Sequence, residues 1–458
     1  MSLDQNFRDC AVLGAAGKMG RGITLLVLQE MARLEALSQG KMRSGLFRLV
    51  LVDQDSSAFP SLIEYLREQL SKYAEKLIIP LRTAFNQNAA LVSNADMVNE
   101  FVNGALDNVS TGTRLEEAIH AKLVFEALPE EIVLKVQTLQ KLAQLAPELQ
   151  YYFSNTSSIP INILEQQANL QNRIVGLHFY NPPPVQKLME ISFPDKVTED
   201  TKQFALEIAK RFNKTIVITK DFPGFIGNNY FMRELAFANS ITEKLAGLLP
   251  APAAIFAVDM ISKDYLLHPM GIFQLADYVG IGICYHIAQT ISSLVGTTDV
   301  ISPLISTLFE KNILGGVTPE GYQKDGIFKY NNKGLISAVY DTTTSSYINI
   351  QDPMILRAVQ LLGSLPEGHQ PWKVLIKKNS PQEFLRSYFE KIVASEAVGS
   401  KLALEYLKAC RLNAELLVNS EIASSPEDIN TVVKLGFHQV YGPMESFLDS
   451  LLVTKVET

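Results

Sequence analysis

Cysteine, tryptophan and histidine are scarce in this chain: among 458 residues there are 3, 1 and 6 of them. Three scattered thiols, Cys10, Cys284 and Cys410, form neither a disulfide framework nor a zinc-ligand set, so no metal is expected. Basic charge is not in excess either, since 41 Lys+Arg stand against 48 Asp+Glu for a formal charge of -7. Without a basic run, nucleic acid is not an expected partner. The N-terminal MSLDQNFRD has no apolar signal-peptide core, and a cytoplasmic setting is expected. The uncharged stretch Tyr278–Thr298 is interrupted by Gly280, Gly282, His286 and Gln289, and reads as a buried core helix rather than a membrane span. With 47 % hydrophobic and 19 % charged residues, disordered, collagenous and coiled-coil classes are excluded. The length suits roughly two to four domains.

What is present starts with a strand–glycine turn–helix pattern. Ala11–Leu13 is apolar, Gly14, Gly17, Gly20 and Gly22 follow, and strong helix formers run through Ile23–Leu37. Near-continuous apolar runs recur at Phe47–Asp53, Leu123–Glu130, Tyr151–Ser158, Arg173–Tyr180 and Lys214–Asp221, with helical patterns such as Ile132–Leu145 between them. Such runs suit parallel strands covered on both faces. The alternation predicts an α/β, Rossmann-type domain over residues 1–220. Beyond it the pattern is helical: a helical domain over 221–335, a linker over 336–369, and a second helical domain over 370–458. Pro252, Ile255, Pro269, Met270 and Phe273 are matched in spacing by Pro426, Ile429, Pro443, Met444 and Phe447. The match makes 370–458 a probable repeat of the first helical domain, against the alternative of ordinary caps and core residues.

Glycines between a strand and a helix let the backbone approach a pyrophosphate, with helix N–H groups and the positive dipole end behind it. Here the spacing is Gly14-x-x-Gly17-x-x-Gly20, one residue longer than the standard fingerprint. Asp53 ends the second strand, where an acid can bind a ribose 2′-hydroxyl and repel a 2′-phosphate, which favours NAD over NADP. It lies 33 residues after Gly20 (53 − 20), beyond the usual ~20, and Ser38–Gly45 accounts for the longer connection. A solvated strand-end carboxylate is the alternative.

His178 stands apart from the other histidines. It ends an apolar run and precedes Phe179-Tyr180-Asn181-Pro182-Pro183-Pro184, and the prolines stop the strand beside the imidazole. Glu190 follows in the strand-like KLMEIS, where a returning strand could meet His178. A carboxylate on one imidazole nitrogen fixes the tautomer that a general base needs. Spacing alone leaves open whether Glu190 meets His178 or faces solvent.

Taken together, Gly14–Ile23, Val52-Asp53-Gln54, Glu126–Glu130, Ser154–Ser158, Gly176–Pro184 with Lys187–Glu190, and Lys220–Asn228 resemble the motifs of L-3-hydroxyacyl-CoA dehydrogenases, in the same order. The likeness continues through His268–Gly271, Asp277–Gly280 and Lys324–Gly326, and covers about residues 8–330. The resemblance implies an NAD-dependent dehydrogenase of acyl-CoA substrates in fatty-acid β-oxidation. It implies His178 as catalytic base, Glu190 as its orienting carboxylate, and Ser157 and Asn228 as the polar groups that hold the reacting oxygen and thioester region. Cofactor contacts are implied for Gly14, Gly17, Lys18, Met19, Gly20, Asp53, Gln54, Ala127, Glu130, Lys135, Asn155, Asn181 and Lys324. Residues 370–458 resemble, more faintly, the second helical copy of long β-oxidation dehydrogenases. That copy implies a monomer or homodimer, associated with other β-oxidation enzymes. A stand-alone dehydrogenase, without a hydratase-like region ahead of the first domain, is expected. Coenzyme A contacts are not legible; Arg67, Lys72 and Lys76 also suit a solvated helix face. Two other readings are a dehydrogenase of a 3-hydroxy acid without coenzyme A, and a catalytically silent structural relative.

Overall fold

The computed structural model describes residues 3–318 and 321–452 and divides into two compact units, Met1–Asp221 and Phe222–Thr458. The first unit is built on eight strands: β1 Asp9–Leu13, β2 Arg48–Val52, β3 Val109–Gly112, β4 Leu123–Glu126, β5 Tyr151–Ser154, β6 Ile174–Phe179, β7 Leu188–Ser192 and β8 Thr215–Thr219. Their order is β3-β2-β1-β4-β5-β6-β7-β8. All neighbours are parallel except β6 and β7. The chain therefore leaves β1 in one direction for β2 and returns on the other side for β4, which opens a crevice at the carboxyl ends of β1 and β4.

Alternation along the strands explains why the apolar runs are unbroken. Val12, Leu49, Leu51, Phe125 and Phe153 face one layer with Ile23, Val27, Leu66 and Phe101 of the helices Lys18–Gln39, Phe59–Lys76 and Asn94–Asp107. Ala11, Leu13, Val50, Val124 and Tyr152 face the other, against Leu139, Leu142 and Leu164. Each large side chain so buried contributes about 1.5–3 kcal/mol. Strand β3, VSTG, has an exposed edge and no apolar run to mark it.

The second unit is mainly helical. The helix Ala251–Met260 runs into one wide turn over Ile261–Tyr265, closed by the Leu266 amide on the Ile261 carbonyl at 3.0 Å. The stretch 278–298, expected as a core helix, holds the helix Ile281–Val295, which meets the preceding helix Ile272–Val279 at 95°. Gly280 makes the bend with φ 111°, a backbone state that a side chain would strain. Among the described residues no single helix is long and apolar enough to cross a membrane.

Residues 336–369, expected as a linker, are folded. Strands β9 Phe328–Tyr330, β10 Ile336–Asp341 and β11 Ser346–Asn349 form an antiparallel sheet, followed by the helix Pro353–Leu362. Buried Asp277 anchors the start of this sheet, accepting from the Ile327 amide (2.6 Å), the Phe328 amide (2.8 Å) and the Tyr330 hydroxyl (2.9 Å). Its three donors sit at the end of the 221–335 segment expected to be helical, where the strand β9 forms instead.

The C-terminal helices Gln382–Ala394, Val398–Asn419 and Pro426–Gly436 pack inside this same unit. The Tyr406 hydroxyl donates to Glu234 Oε1 at 3.0 Å, and those of Tyr441 and Tyr388 to the Leu266 and Tyr265 carbonyls. Burial pushes the Glu234 carboxyl up to about 7 against the Tyr406 bond. One device occurs twice. Asp259 Oδ1 accepts the Phe273 amide and Asn430 Oδ1 the Met444 amide, while Gly271 and Gly442 leave room for those same side chains. That pairing sets Asp259 beside Asn430, whereas the proline spacing had set Pro252 beside Pro426, a register three residues different.

Candidate active site

The glycine turn lies at the carboxyl end of β1. The Gly14 and Ala15 amides donate to the Val52 carbonyl at 2.8 and 3.2 Å. Gly14 has φ 72°, and a Cβ there would stand 2.6 Å from the Ala127 carbonyl oxygen; a Cβ on Gly20 would stand 1.9 Å from that of Gly14. Both positions therefore exclude a side chain, so the backbone lies bare where the helix Lys18–Gln39 begins after its N-cap Gly17. Asp53 Oδ2 accepts the amide of Ala16 at 3.0 Å, and Oδ1 that of Asp55 at 3.2 Å. The residue that lengthens the turn is thus tied to the acid at the end of β2. A bare turn, a helix N-terminus and a fixed carboxylate at the switch point fit a dinucleotide with a ribose diol. Gly17, Lys18 and Gln54 are exposed, whereas Met19 is half-buried against the core. Partial burial lowers the Lys18 ammonium from its ordinary value.

A buried ionic cluster shapes the loop after β5. Lys135 Nζ donates to Glu126 Oε1 at 2.7 Å and to the Leu128 carbonyl at 3.1 Å, and lies 3.3 Å from Glu130 Oε2. Both Lys135 and Glu126 are 1 % exposed. Glu130 Oε1 accepts from the Thr156 hydroxyl (2.6 Å), the Ser157 and Ser158 amides (2.8 Å each) and the Ser158 hydroxyl (2.9 Å). One carboxylate oxygen thereby pins the segment that carries Ser157. Burial alone would raise the Glu130 carboxyl, but Lys135 and these donors outweigh it and hold it low. Lys135 is raised in turn, because its two carboxylates outweigh its own desolvation. Its Nζ is consumed within the protein, so its influence on a bound ligand would run through Glu130 and the loop.

His178 and Glu190 are placed opposite each other by strand register. β6 and β7 are antiparallel with His178 facing Glu190, as a proline-terminated strand and a short return require. Nδ1 of His178 lies 3.1 Å from Glu190 Oε1, with Glu190 fully buried and His178 8 % exposed. Since a carboxylate can only accept, the Nδ1 atom carries the proton and the lone pair lies on Nε2. The Tyr180 hydroxyl donates to the same Oε1 at 2.8 Å, and its ring lies 4.9 Å from the imidazole, centre to centre.

The loop behind the base is fixed from two sides. Pro183 packs on Gly22 of the dinucleotide helix, where a Cβ would be 2.7 Å from the ring. Lys214 Nζ donates to the Pro183 carbonyl, and to that of Gln186 at 2.6 Å. The Asn155 side-chain oxygen accepts the Phe179 amide at 3.0 Å, which ties β5 to the end of β6. Asn181 is half-buried in the proline loop.

The first unit thus sets the glycine turn, Asp53, Ala127, Glu130, Ser157 and His178 at or after the carboxyl ends of their strands, with Glu190 of the antiparallel β7 facing His178. Asn228 and Lys324 belong to the second unit, Asn228 in the first turn of the helix Gly227–Leu245 and Lys324 exposed, its amide on the Gly316 carbonyl at 2.8 Å. Sequence reasoning passed over Tyr180, Glu126 and Lys214. Tyr180, one residue past the end of β6 and two after His178, would lie on the His178 side if the strand alternation continued, and that signal was readable. Among the described residues no group of three or more His, Cys, Asp or Glu could hold a metal ion.

A doubly wound sheet with a dinucleotide cradle and a histidine–carboxylate pair defines a nicotinamide-dependent dehydrogenase class. Residues 9–222 match the family described as 3-hydroxyacyl-CoA dehydrogenase, NAD binding domain, and residues 224–325 match its C-terminal domain. The chain is 30 % identical over 279 residues to the mitochondrial hydroxyacyl-coenzyme A dehydrogenase of Sus scrofa, covering 60 % of this chain and 83 % of that protein. It is 28 % identical over 302 residues to a probable 3-hydroxybutyryl-CoA dehydrogenase of Bacillus subtilis, covering 64 % and 97 %. In fold, the crystal structure of the Escherichia coli 3-hydroxybutyryl-CoA dehydrogenase is similar with a TM-score of 0.61 at 18 % identity, over 95 % of this chain and 90 % of that one. The chain belongs to the 3-hydroxyacyl-CoA dehydrogenase family. It carries that family's NAD-binding domain.

Proposed function

We propose that this enzyme oxidises the 3-hydroxyl of an L-3-hydroxyacyl-coenzyme A thioester to the 3-oxo compound with NAD, with His178 as general base. The observation that carries the reading is the in-register His178–Glu190 pair. NAD, when bound, accepts the hydride from C3. Asp53 is the acceptor for the ribose diol, and the bare turn at Gly14–Gly20 receives the pyrophosphate. His178 takes the 3-hydroxyl proton on Nε2, and Glu190 holds the ring by Nδ1 and stabilises the imidazolium that results. Glu130 fixes the loop that carries Ser157, and by the family resemblance Ser157 and Asn228 are the polar groups for the substrate's reacting oxygen and thioester region. Work in fatty-acid β-oxidation suits this chemistry, and a cytoplasmic location remains part of the reading.

The experiment compares NADH formation from L-3-hydroxybutyryl-CoA and from free L-3-hydroxybutyrate. The thioester should be turned over with far higher kcat/KM. Equal or better turnover of the free acid would replace this substrate class with a non-CoA 3-hydroxy acid.

A further inference from the structure

Tyr180 has no part in the roles assigned above, yet it touches the centre of them. Its hydroxyl donates to Glu190 Oε1 at 2.8 Å, and His178 Nδ1 meets that same oxygen at 3.1 Å. Burial, then the adjacent Glu190 charge, push the Tyr180 phenol well above its ordinary value. The phenol therefore keeps its proton and donates throughout the working pH range. Phe179 between the two rings points to the opposite layer, where it is buried. The neighbouring strands place the following groups around the pair. β8 sets Val217 in register with Glu190, and β5 sets Ser154 opposite Gly176 of β6. Glu126, Glu130 and Lys135, beyond β5, are tied to one another. Lys187 at the foot of β7 acts on Lys214, which is lowered to about 8 by burial and by Lys187.

We propose that Tyr180 is a positioning residue that tunes the base through Glu190. By donating to the oxygen that His178 uses, the phenol draws negative charge from it and keeps the imidazole less basic than Glu190 alone would make it. This deepens the general-base reading and rests on it. A hydrogen bond to a carboxylate stabilises its charge and spreads it over a second partner. Removing the phenol hydroxyl concentrates that charge on His178, stabilises the imidazolium, and raises the pH at which the base becomes neutral.

The test is the pH profile of kcat/KM for oxidation of L-3-hydroxybutyryl-CoA at saturating NAD, measured for the wild type, Tyr180→Phe and His178→Asn. The wild type should show an acid limb that the residual activity of His178→Asn lacks. Tyr180→Phe should move that limb to higher pH by about one unit, a tenfold loss at a pH below both midpoints. The high-pH plateau should change much less. Replacing Tyr180 by a fluorotyrosine, a stronger donor of nearly the same shape, should move the limb the other way, and serves if Tyr180→Phe does not fold. An unmoved or oppositely moved limb in these variants, with the limb lost in His178→Asn, overturns the tuning role and leaves the base intact. A limb that persists in His178→Asn overturns the base assignment itself, and with it the role of Tyr180.

Discussion

Replacing Lys135 by methionine keeps most of the side chain's volume and removes its charge. The structure sets the size of the effect. Glu126 and Lys135 are each 1 % exposed, and Glu126 Oε1 lies 2.7 Å from Nζ. Glu126 would keep the Leu128 amide at 2.6 Å and the Ser154 hydroxyl at 2.5 Å, but its charge would be buried without a cation. Breaking a buried pair on one side costs about 3–5 kcal/mol, a large part of the stability of an ordinary domain. Urea unfolding of the full chain, followed by amide exchange of β4 and β5, reads this loss in the first unit. The double variant Lys135→Met with Glu126→Gln should recover much of it, because the stranded charge is gone. The wild-type cluster also sets a pH window. Glu130 is held below its ordinary 4.5, so its share of stability is complete above that pH and is lost as pH falls through the folded value. Lys135 is held above 10.5, so its share persists until pH rises past its folded value. A Lys135→Met loss below about 1 kcal/mol, the range of an exposed pair, would refute the claim that this cation neutralises a buried carboxylate.

Three further outcomes follow from the geometry. Gly20→Ala drives a Cβ to 1.9 Å from the Gly14 carbonyl oxygen and should abolish NAD binding in titration calorimetry, while amide exchange in the second unit stays as in the wild type. Asp53→Asn can still accept the Ala16 amide, unlike Asp53→Ala, so it should narrow the ratio of NAD to NADP efficiency without loss of folding; an unchanged ratio would remove Asp53 from cofactor selection. Truncation before Pro371 takes away Tyr406, Tyr388 and Tyr441 with their bonds to Glu234, Tyr265 and Leu266, and should give an aggregating or self-associating chain by light scattering. A monomeric, fully active truncation would contradict a packing role for 371–458.

Much of the first unit could be read from the chain because the relevant physics is local. A strand buried on both faces is apolar throughout, and prolines end a strand; that the next strand returns with Glu190 facing His178 is left open by spacing and comes from the β6–β7 register. Strand β3 escaped notice because an edge strand needs no apolar run, and VSTG has none. The wide turn at Ile261–Tyr265 and the bend at Gly280 also left no periodic signal. The sheet β9–β11 owes its place to Asp277, fifty residues distant in sequence from the Ile327 amide that it binds. Lys135 is marked by the family resemblance as a cofactor contact, but its burial was not legible, since that depends on Glu126 and Glu130 arriving from another strand and loop. The expected repeat of the helical domain is a different case. Proline spacing suggested one register, whereas the side chains that cap the following loop, Asp259 and Asn430, give another. Each acceptor packs on the glycine two residues before the amide that it binds, a relation that proline spacing does not report.

The central claim is that His178, held by Glu190, carries the proton transfer. It is tested most directly by kcat for L-3-hydroxybutyryl-CoA oxidation in His178→Gln, Glu190→Gln and the double variant, alongside NAD affinity by calorimetry. The account expects His178→Gln to lose at least ~10²-fold in kcat, the lower range for a general base, with NAD affinity nearly unchanged. Glu190→Gln should lose much of that factor, and the double variant no more than His178→Gln alone, because the two act as one unit. A His178→Gln enzyme within tenfold of wild type, or losses that multiply in the double variant, would contradict it.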